Sequence, residues 1–261
     1  MDFLAKVIPI ASGRPRLISF SGAFHGMTIG SGGISGHAAL SKPIPNGHIT
    51  KVPFPNPNQC SWGPCKRSGC SLKCLDFIEN EVLSVLSPPE ETAAIFAEIV
   101  QSDSGEIIPP ANYFPALREL CDMHGIWLVL DEIKTGLGRT GKMSAFEKYG
   151  IQPDALAISK PLGGGLPISA VVARAEIFDA DLYTAYTLGG SPLSFFPVVC
   201  CLLSLACAVV RVRFPCMSPI LFSEAQPELY AGCRFHPGPV LNSSGGRGTF
   251  TNRMILPFSG R

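Results

Sequence analysis

The sequence predicts an α/β fold built on a mostly parallel sheet. Two short apolar runs, at residues 127–130 and 155–158, each stop at charged residues, Asp131 after the first and Lys160 shortly after the second. Runs of this length, separated by a loop-rich and partly helical segment, are typical of neighbouring parallel strands. Ligands of open α/β sheets bind at the carboxyl ends of the strands. We therefore expect Asp131 and Lys160 to lie at one ligand-binding edge of the sheet.

Further apolar runs and helical spacings predict the remaining elements. The other strands are expected at residues 17–20, 49–52, 94–99 and 169–173. Helical spacing of apolar residues predicts helices near 72–86 and over 113–124, the second with Asn112 as its N-terminal cap. The proline-rich segment 53–64 is expected to be a loop.

An acid and a lysine at the same sheet edge suit pyridoxal phosphate. This cofactor needs a lysine for its Schiff base and a carboxylate that keeps its pyridine nitrogen protonated. Taken singly, a lysine before glycines is most often a solvated loop residue, and an aspartate at a strand end is most often a turn or a cap. The sequence between and around Asp131 and Lys160 favours the cofactor site.

The segment that follows Asp131 carries a long, gapped motif. Residues 131–142 are Asp-Glu-Ile-Lys-Thr-Gly-Leu-Gly-Arg-Thr-Gly-Lys, and residues 160–165 are Lys-Pro-Leu-Gly-Gly-Gly. This pattern resembles the class III aminotransferases, the family of 4-aminobutyrate, ornithine and other ω-amino-acid aminotransferases. The resemblance extends over residues 14–194. It implies the large domain of a fold type I PLP-dependent transferase, a mostly parallel central sheet with flanking helices.

The resemblance implies a role for each of the principal site residues. Lys160 would form the Schiff base and move a proton between the substrate and the cofactor, and Asp131 would pair with the pyridine nitrogen. Phe24, His25 and Gly26 are similar to the family's aromatic-His-Gly segment, whose aromatic ring stacks on the cofactor. Flat packing of a phenyl ring on a pyridine ring buries two apolar faces and holds the ring plane.

Three more positions follow from the same resemblance. Lys134 stands where many relatives have a glutamine that contacts the ring hydroxyl of the cofactor. Thr187, in Thr-Leu-Gly-Gly-Ser-Pro, is similar to a threonine that binds the cofactor phosphate across a subunit interface, which implies a homodimer. Glu98 is expected on the strand that carries a glutamate in relatives.

The function implied is transfer of an amino group from an amino acid or ω-amine to a 2-oxo acid. Racemases, decarboxylases and aminomutases that share the same frame are the alternatives, and so is a non-catalytic remnant that only docks onto an intact partner. The loop at residues 136–141 favours an aminotransferase over glutamate-1-semialdehyde aminomutase, a family that tends to lack it.

Composition excludes some other classes of function. The chain has 261 residues, 46% of them hydrophobic, so it can bury a substantial core. A formal net charge of +1 provides no basic excess for nucleic acid. The opening Met1-Asp2-Phe3 places an acid where a secretion signal would be basic, so we expect a cytoplasmic, reducing location and no membrane partner.

Four cysteines are clustered in one loop. Cys60, Cys65, Cys70 and Cys74 are separated by four, four and three residues, unlike the two-residue gaps of common zinc sites. A metal site stays open as an alternative. We favour a surface loop of reduced thiols and predict no metal, and we expect Cys121, on an amphipathic helix, to lie in the core.

Both ends differ from the family pattern. The phosphate-binding loop of relatives would precede Met1, and the resemblance ends at Ser194. We therefore expect a partial PLP-binding domain at residues 1–194, followed at 195–261 by an uncharged apolar run and an irregular tail. The hypotheses for this tail are a frameshift, a misread intron or a fragment, with a membrane anchor or a packed helix as alternatives. The chain as written is expected to be weakly active or inactive.

Overall fold

A six-stranded sheet forms the centre of the molecule. The structure, a computed structural model, describes residues 1–41, 47–180, 184, 191–194 and 198. The strands are β1 (Arg16–Phe20), β2 (Ile49–Val52), β3 (Thr92–Glu98), β4 (Trp127–Asp131), β5 (Ala155–Ile158) and β6 (Ala170–Ala173). Their order is β2-β1-β3-β4-β5-β6. The first five strands are parallel to their neighbours, and β6 is antiparallel to β5.

Short helical segments connect the strands. The α-helices are α1 (Asp2–Ser12), α2 (Ile29–Ile34), α3 (Ala38–Ser41), α4 (Lys73–Phe77), α5 (Tyr113–His124) and α6 (Ala175–Asp179). A π-helical segment, Ile78–Leu86, continues α4, and two 3₁₀ helices span Ala145–Tyr149 and Lys160–Gly163. Gly125 caps the C-terminus of α5. Its φ of 61° is in the left-handed region, and its N–H donates to the carbonyls of Asp122 and Cys121.

The core lies on both faces of the sheet. All seven residues of β3 are buried, as expected for a central strand covered on two sides. Alternate residues of a strand point to opposite faces. Accordingly, Phe96 packs in one cluster with Leu4 and Ile8 of α1, whereas Ile95 packs in the other cluster with Leu117 of α5.

The predicted fold class is confirmed, and so are the six predicted strands to within two residues at each end. The helix expected at 113–124 is present, and Cys121 is fully buried, as expected. Asn112 precedes this helix, but the prediction that its side chain caps the helix is wrong. Its φ of −87° and ψ of 0° are helical, and its side chain binds the backbone of Cys70 instead. Helix and loop are thereby tied together.

Most of the segment beyond Ser194 cannot be compared with its prediction. Residues 195–197 and 199–261 lie outside the described residues, so the hypotheses about the tail and the boundary at 194 stay predictions. Within the ranges that are described, no helix is long and apolar enough to cross a membrane.

Candidate active site

The carboxyl ends of four adjoining strands bring most of the predicted site residues to one edge. His25 lies just beyond β1, Glu98 ends β3, Asp131 ends β4, and Lys160 comes two residues after β5. In the sheet register, Glu98 lies opposite Asp131, and Asp131 lies opposite Ala157. Asp131 is therefore central, with Glu98 on one side and the strand that leads to Lys160 on the other.

Asp131 is held by two hydrogen bonds. Its Oδ2 is 2.8 Å from Nδ1 of His25, and its Oδ1 accepts a bond of 3.0 Å from the backbone N–H of Ile133. The Asp131 side chain is only 5% exposed and that of His25 is completely buried. Hydrogen bonds to a carboxylate are shorter and stronger than neutral ones, and burial removes competing water. The carboxyl group is thus fixed in one orientation at the strand end.

The surroundings of His25 fix its ring. The imidazole lies edge-on to Phe96, with ring centroids 6.5 Å apart, and the backbone N–H of His25 donates to Oγ of Ser35 at 2.9 Å. Its Nε2 is buried and has no hydrogen-bond partner among the described residues. A buried polar atom without a partner is uncommon in folded proteins.

Gly26 allows the turn that positions His25. Its φ is +130°, and a Cβ atom built there would lie 2.4 Å from Oγ of Ser31. Any side chain would therefore clash as well as strain the backbone. Ser35 supports the same turn, since its hydroxyl lies 2.9 Å from the carbonyl oxygens of both Gly26 and Ser31.

Glu98 is a second buried carboxyl group beside Asp131. It accepts hydrogen bonds from the backbone N–H groups of Phe24 at 3.2 Å and of Ser102 at 3.3 Å. Burial raises the pKa of Glu98 to about 7, His25 opposes the rise, and the nearby Asp131 adds to it. The edge thus contains one carboxyl group that titrates near neutrality.

Glu132, directly after Asp131, anchors the glycine-rich loop. It is completely buried, and its two oxygens accept the backbone N–H groups of Ala145 at 2.7 Å and Phe146 at 2.8 Å. Burial raises the pKa of Glu132, against the effect of these two bonds. Because both ends of the segment meet at Glu132, residues 133–144 form a closed loop beside the site.

The two lysines differ in their contacts. Lys134, half exposed, forms an ion pair with Glu106. Lys160 begins a 3₁₀ helix and is exposed, and no described residue bonds its amine. The loop that carries Lys160 is braced by Ser159, whose hydroxyl donates to the carbonyl of Ile168 at 2.7 Å. The side chain of Lys160 is therefore accessible from solvent.

Two predictions remain to be placed. Phe24 is half-buried next to His25, at the same edge. Thr187 lies outside the described residues, so its predicted phosphate contact stays a prediction. Among the residues that are described, no three histidines, cysteines or acids are arranged to hold a metal ion.

Two contacts could not be expected from the sequence. The bond between His25 and Asp131 joins residues 106 positions apart, and nothing local in either segment signals it. Glu132 belongs to the motif at residues 131–142, but no local pattern in the sequence signals its bonds to the 3₁₀ helix. A capping residue type at Ser144, three residues before Glu147, is the sequence signal that marks the start of that helix.

Comparison with known proteins establishes the family. A model of the class III aminotransferases matches residues 5–206. The chain belongs to the class III aminotransferase family. The match begins before residue 14 and continues beyond Ser194, so it covers more of the chain than the motifs alone indicated.

The curated relatives of this class III chain include two that are named racemases and one that is named an aminotransferase. A leucine/methionine racemase of Thermococcus litoralis is 41% identical over 191 residues, covering 69% of this chain and 41% of the relative. An alanine/serine racemase of Pyrococcus horikoshii is 36% identical, and the match covers 69% of this chain and 39% of the relative. A putrescine aminotransferase of Pectobacterium atrosepticum is 36% identical, and the match covers 73% of this chain and 38% of the relative. The chain thus spans about two-fifths of the length of these relatives.

Solved structures agree with the family. An amine transaminase from an uncultivated Pseudomonas species, solved in its PLP-bound form, matches with a TM-score of 0.71 and 28% identity, covering 79% of this chain and 50% of that one. A transaminase from the marine bacterium Virgibacillus matches with a TM-score of 0.68 and 26% identity, covering 80% of this chain and 48% of that one. The predicted cofactor, pyridoxal phosphate, is confirmed at the level of the family.

The residues at the strand ends fit this cofactor. A buried, oriented carboxyl group at Asp131 suits a protonated pyridine nitrogen, and the exposed amine of Lys160 suits a covalent attachment. A partnerless buried nitrogen on His25 lies in the same group of side chains.

Proposed function

We propose that the protein to which this chain belongs transfers an amino group from an amino acid or amine to a 2-oxo acid, with pyridoxal phosphate as cofactor. The observation that carries the proposal is the placement of the Asp131–His25 pair and of Lys160 at the ends of β4 and β5, which are neighbours in the sheet. Membership of the class III aminotransferases supports it.

Lys160 is proposed as the covalent anchor and the proton carrier. Its amine is exposed and unbonded in the described part of the chain, so no ion pair has to break before it reacts. A lysine displaced by the incoming amine is left beside the substrate and can hold and move the proton of the reacting carbon.

Asp131 is proposed to bind the pyridine nitrogen, with His25 as its positioning residue. Pyridoxal phosphate supplies a ring that stabilises negative charge developing at the reacting carbon, and this requires a protonated ring nitrogen. The carboxylate of Asp131 favours that proton. The 2.8 Å bond from His25 keeps the carboxylate from rotating away, because the donor is itself fully buried.

The other predicted residues would hold and orient the cofactor. We propose that Phe24 stacks on the ring, that Gly26 shapes the turn beneath it and that Lys134 contacts the ring hydroxyl. Lys134 would first have to leave Glu106, an exposed partner whose loss costs little free energy. Thr187 is proposed to bind the phosphate across the interface of a homodimer, since that is the role of the threonine it resembles.

Racemisation is the second candidate function. The observation that favours it is that relatives 41% and 36% identical to this chain are named racemases. Both reactions remove the same proton from the amino acid. They differ in the next step, since a racemase returns a proton to the opposite face of the same carbon, whereas a transaminase releases a 2-oxo acid.

The test follows the amino acid in deuterated water. The chain is incubated with pyridoxal phosphate and leucine, methionine, alanine or putrescine, with and without 2-oxoglutarate. We expect a carbonyl product from the donor and glutamate from the acceptor, only when 2-oxoglutarate is present and at a low rate, because this chain is expected to be at most weakly active. Formation of deuterated D-amino acid without any acceptor would instead establish racemisation. A Lys160→Ala variant serves as the control and should be inactive in both assays.

A further inference from the structure

The loop between β2 and α4 places two cysteines opposite each other on a tight hairpin. Lys66 and Gly69 form an antiparallel bridge, and the N–H of Gly69 donates to the carbonyl of Lys66 at 3.1 Å. Cys65 and Cys70 are the next pair outward on the same hairpin. In an antiparallel pair, the position next to a hydrogen-bonded pair brings Cα atoms to about 4.5 Å. A disulfide bridges Cα atoms about 4.4–6.8 Å apart, so this position suits one.

The hairpin, residues 65–70, is fixed to the protein body. The side chain of Asn112 binds both backbone groups of Cys70, accepting from its N–H at 3.1 Å and donating to its carbonyl at 2.9 Å. The N–H of Ala111 donates to the carbonyl of Arg67 at 2.9 Å. These bonds tie the hairpin to the start of α5. The two cysteines are therefore held facing each other and do not have to be brought together by chance closure of a loop.

The thiols interact directly and unequally. Burial alone would raise the pKa of Cys70, but hydrogen bonds from the thiol of Cys65 and from the N–H groups of Leu72 and Ser71 outweigh it and lower the pKa. The pKa of Cys65 is raised by burial and by its bond to Cys70. Cys70 is thus the more acidic thiol of the pair, and Cys65 donates a hydrogen bond to it. Both are partly exposed, so a small reagent can reach them.

The other two cysteines of the loop are less suited to reaction. Cys60 and Cys74 line the same cavity of about 70 Å³ as the pair. Cys74 is buried, and burial raises its pKa to about 11. The four thiols, all in the described part of the chain, are not arranged to hold a metal ion. Two facing thiols, one of them with a lowered pKa, are instead the arrangement of a dithiol that oxidises to a disulfide.

We propose that Cys65 and Cys70 form a reversible dithiol–disulfide site that reacts with hydroperoxides. The Cys70 thiolate attacks one peroxide oxygen, the O–O bond breaks, and Cys70 becomes a sulfenic acid as water leaves with a proton from solvent. The Cys65 thiol then attacks the Cys70 sulfur, which forms the S–S bond and releases the second water. Two thiols and one hydrogen peroxide thus give one disulfide and two waters, and an external dithiol reverses the change.

Peptide mapping of the full chain tests the proposal. Reduced protein is treated with hydrogen peroxide, free thiols are blocked with N-ethylmaleimide, and the protein is digested with trypsin without reduction. Cleavage after Lys66 and Arg67 separates Cys65 from Cys70, so a disulfide between them joins peptides 52–66 and 68–73. The expected result is that linked pair, lost after treatment with dithiothreitol. Because peptide 52–66 also contains Cys60, the linkage must persist in Cys60→Ser.

Two variants separate the steps. Cys70→Ser should abolish the linked peptides, and Cys65→Ser should accumulate a sulfenic acid on Cys70 that dimedone traps. Both positions lie on a partly exposed hairpin, and unchanged far-ultraviolet circular dichroism would show that the variants fold. A linkage through Cys60 or Cys74, or dimedone labelling of Cys60 in preference to Cys70, would overturn the proposal. Zinc bound in equimolar amount and protecting all four thiols would also overturn it, in favour of a metal site.

Discussion

Glu98 provides a pH-dependent test of the packing at the strand ends. Its pKa in the folded chain is raised from 4.5 to about 7, mainly by burial. A raised carboxyl pKa means that the folded state holds the proton more tightly than the unfolded state does. Below pH 4.5 Glu98 is protonated in both states and does not reduce the free energy of unfolding. As the pH rises from 4.5 to about 7, the free energy of unfolding falls, because the unfolded chain loses this proton first. Over that interval the loss approaches about 3 kcal/mol, at about 1.4 kcal/mol for each pH unit.

The substitution Glu98→Gln imitates the protonated, uncharged carboxyl group at every pH. An amide keeps one oxygen to accept from the N–H of Phe24 or Ser102 and carries no charge to bury. We expect the variant and the parent to be about equally stable near pH 4.5. At pH 8 we expect the variant to be more stable by about 2–3 kcal/mol, since an imperfect amide geometry removes up to about 1 kcal/mol of the gain.

Urea unfolding at several pH values between 4.5 and 8, at constant ionic strength, measures this difference. Glu81→Gln is the matched control, because Glu81 is exposed on the π-helical segment and its replacement should leave the pH dependence of the parent unchanged. A stability difference between Glu98→Gln and the parent that stays constant across this pH range would show that burial does not raise the pKa of Glu98 in the folded chain.

Three further predictions concern the same edge. His25→Leu removes the donor to buried Asp131 and should lower the free energy of unfolding by about 3–5 kcal/mol, whereas His25→Asn, whose amide can replace Nδ1, should lose less. Gly26→Ala should lower the free energy of unfolding by about 2 kcal/mol or more, whereas Gly138→Ala should lower it by about 1 kcal/mol. Both glycines have positive φ, but only at Gly26 does a Cβ meet another atom. Glu132→Ala leaves two buried N–H groups without partners and should lower stability by about 2–4 kcal/mol.

Denaturant titration measures all three, and hydrogen exchange adds detail for the third. Equal losses in His25→Leu and His25→Asn would show that ring packing, not the bond to Asp131, matters. Equal costs at Gly26 and Gly138 would contradict the close approach to Ser31. Glu132→Ala should speed exchange of the amides of Ala145 and Phe146 in particular, and unchanged protection there would show that Glu132 does not anchor the loop.

The sheet followed from the sequence because its strands are short apolar runs bounded by polar residues. The location of Asp131 and Lys160 followed from the same runs, since parallel strands place their carboxyl ends on one edge. The bond from His25 to Asp131 did not follow, because it depends on β1 and β4 lying on either side of β3. The strand order is a property of the packed sheet, and no local pattern encodes it.

The failed cap shows a second limit of local reasoning. Asparagine before an apolar helical repeat is a sound signal for an N-terminal cap. In the folded chain the side chain of Asn112 has a competing partner, the backbone of Cys70, which is 42 residues away in sequence. Tertiary contacts of this kind redirect a polar side chain without changing where the helix begins.

Lys160 is proposed as the covalent anchor at the strand-end edge. The chain is loaded with pyridoxal phosphate, reduced with borohydride and digested, and the pyridoxyl group is located by mass spectrometry. We expect that the label lies on Lys160 and that Lys160→Ala carries none. A label on Lys134 or Lys142 in the parent protein would contradict it.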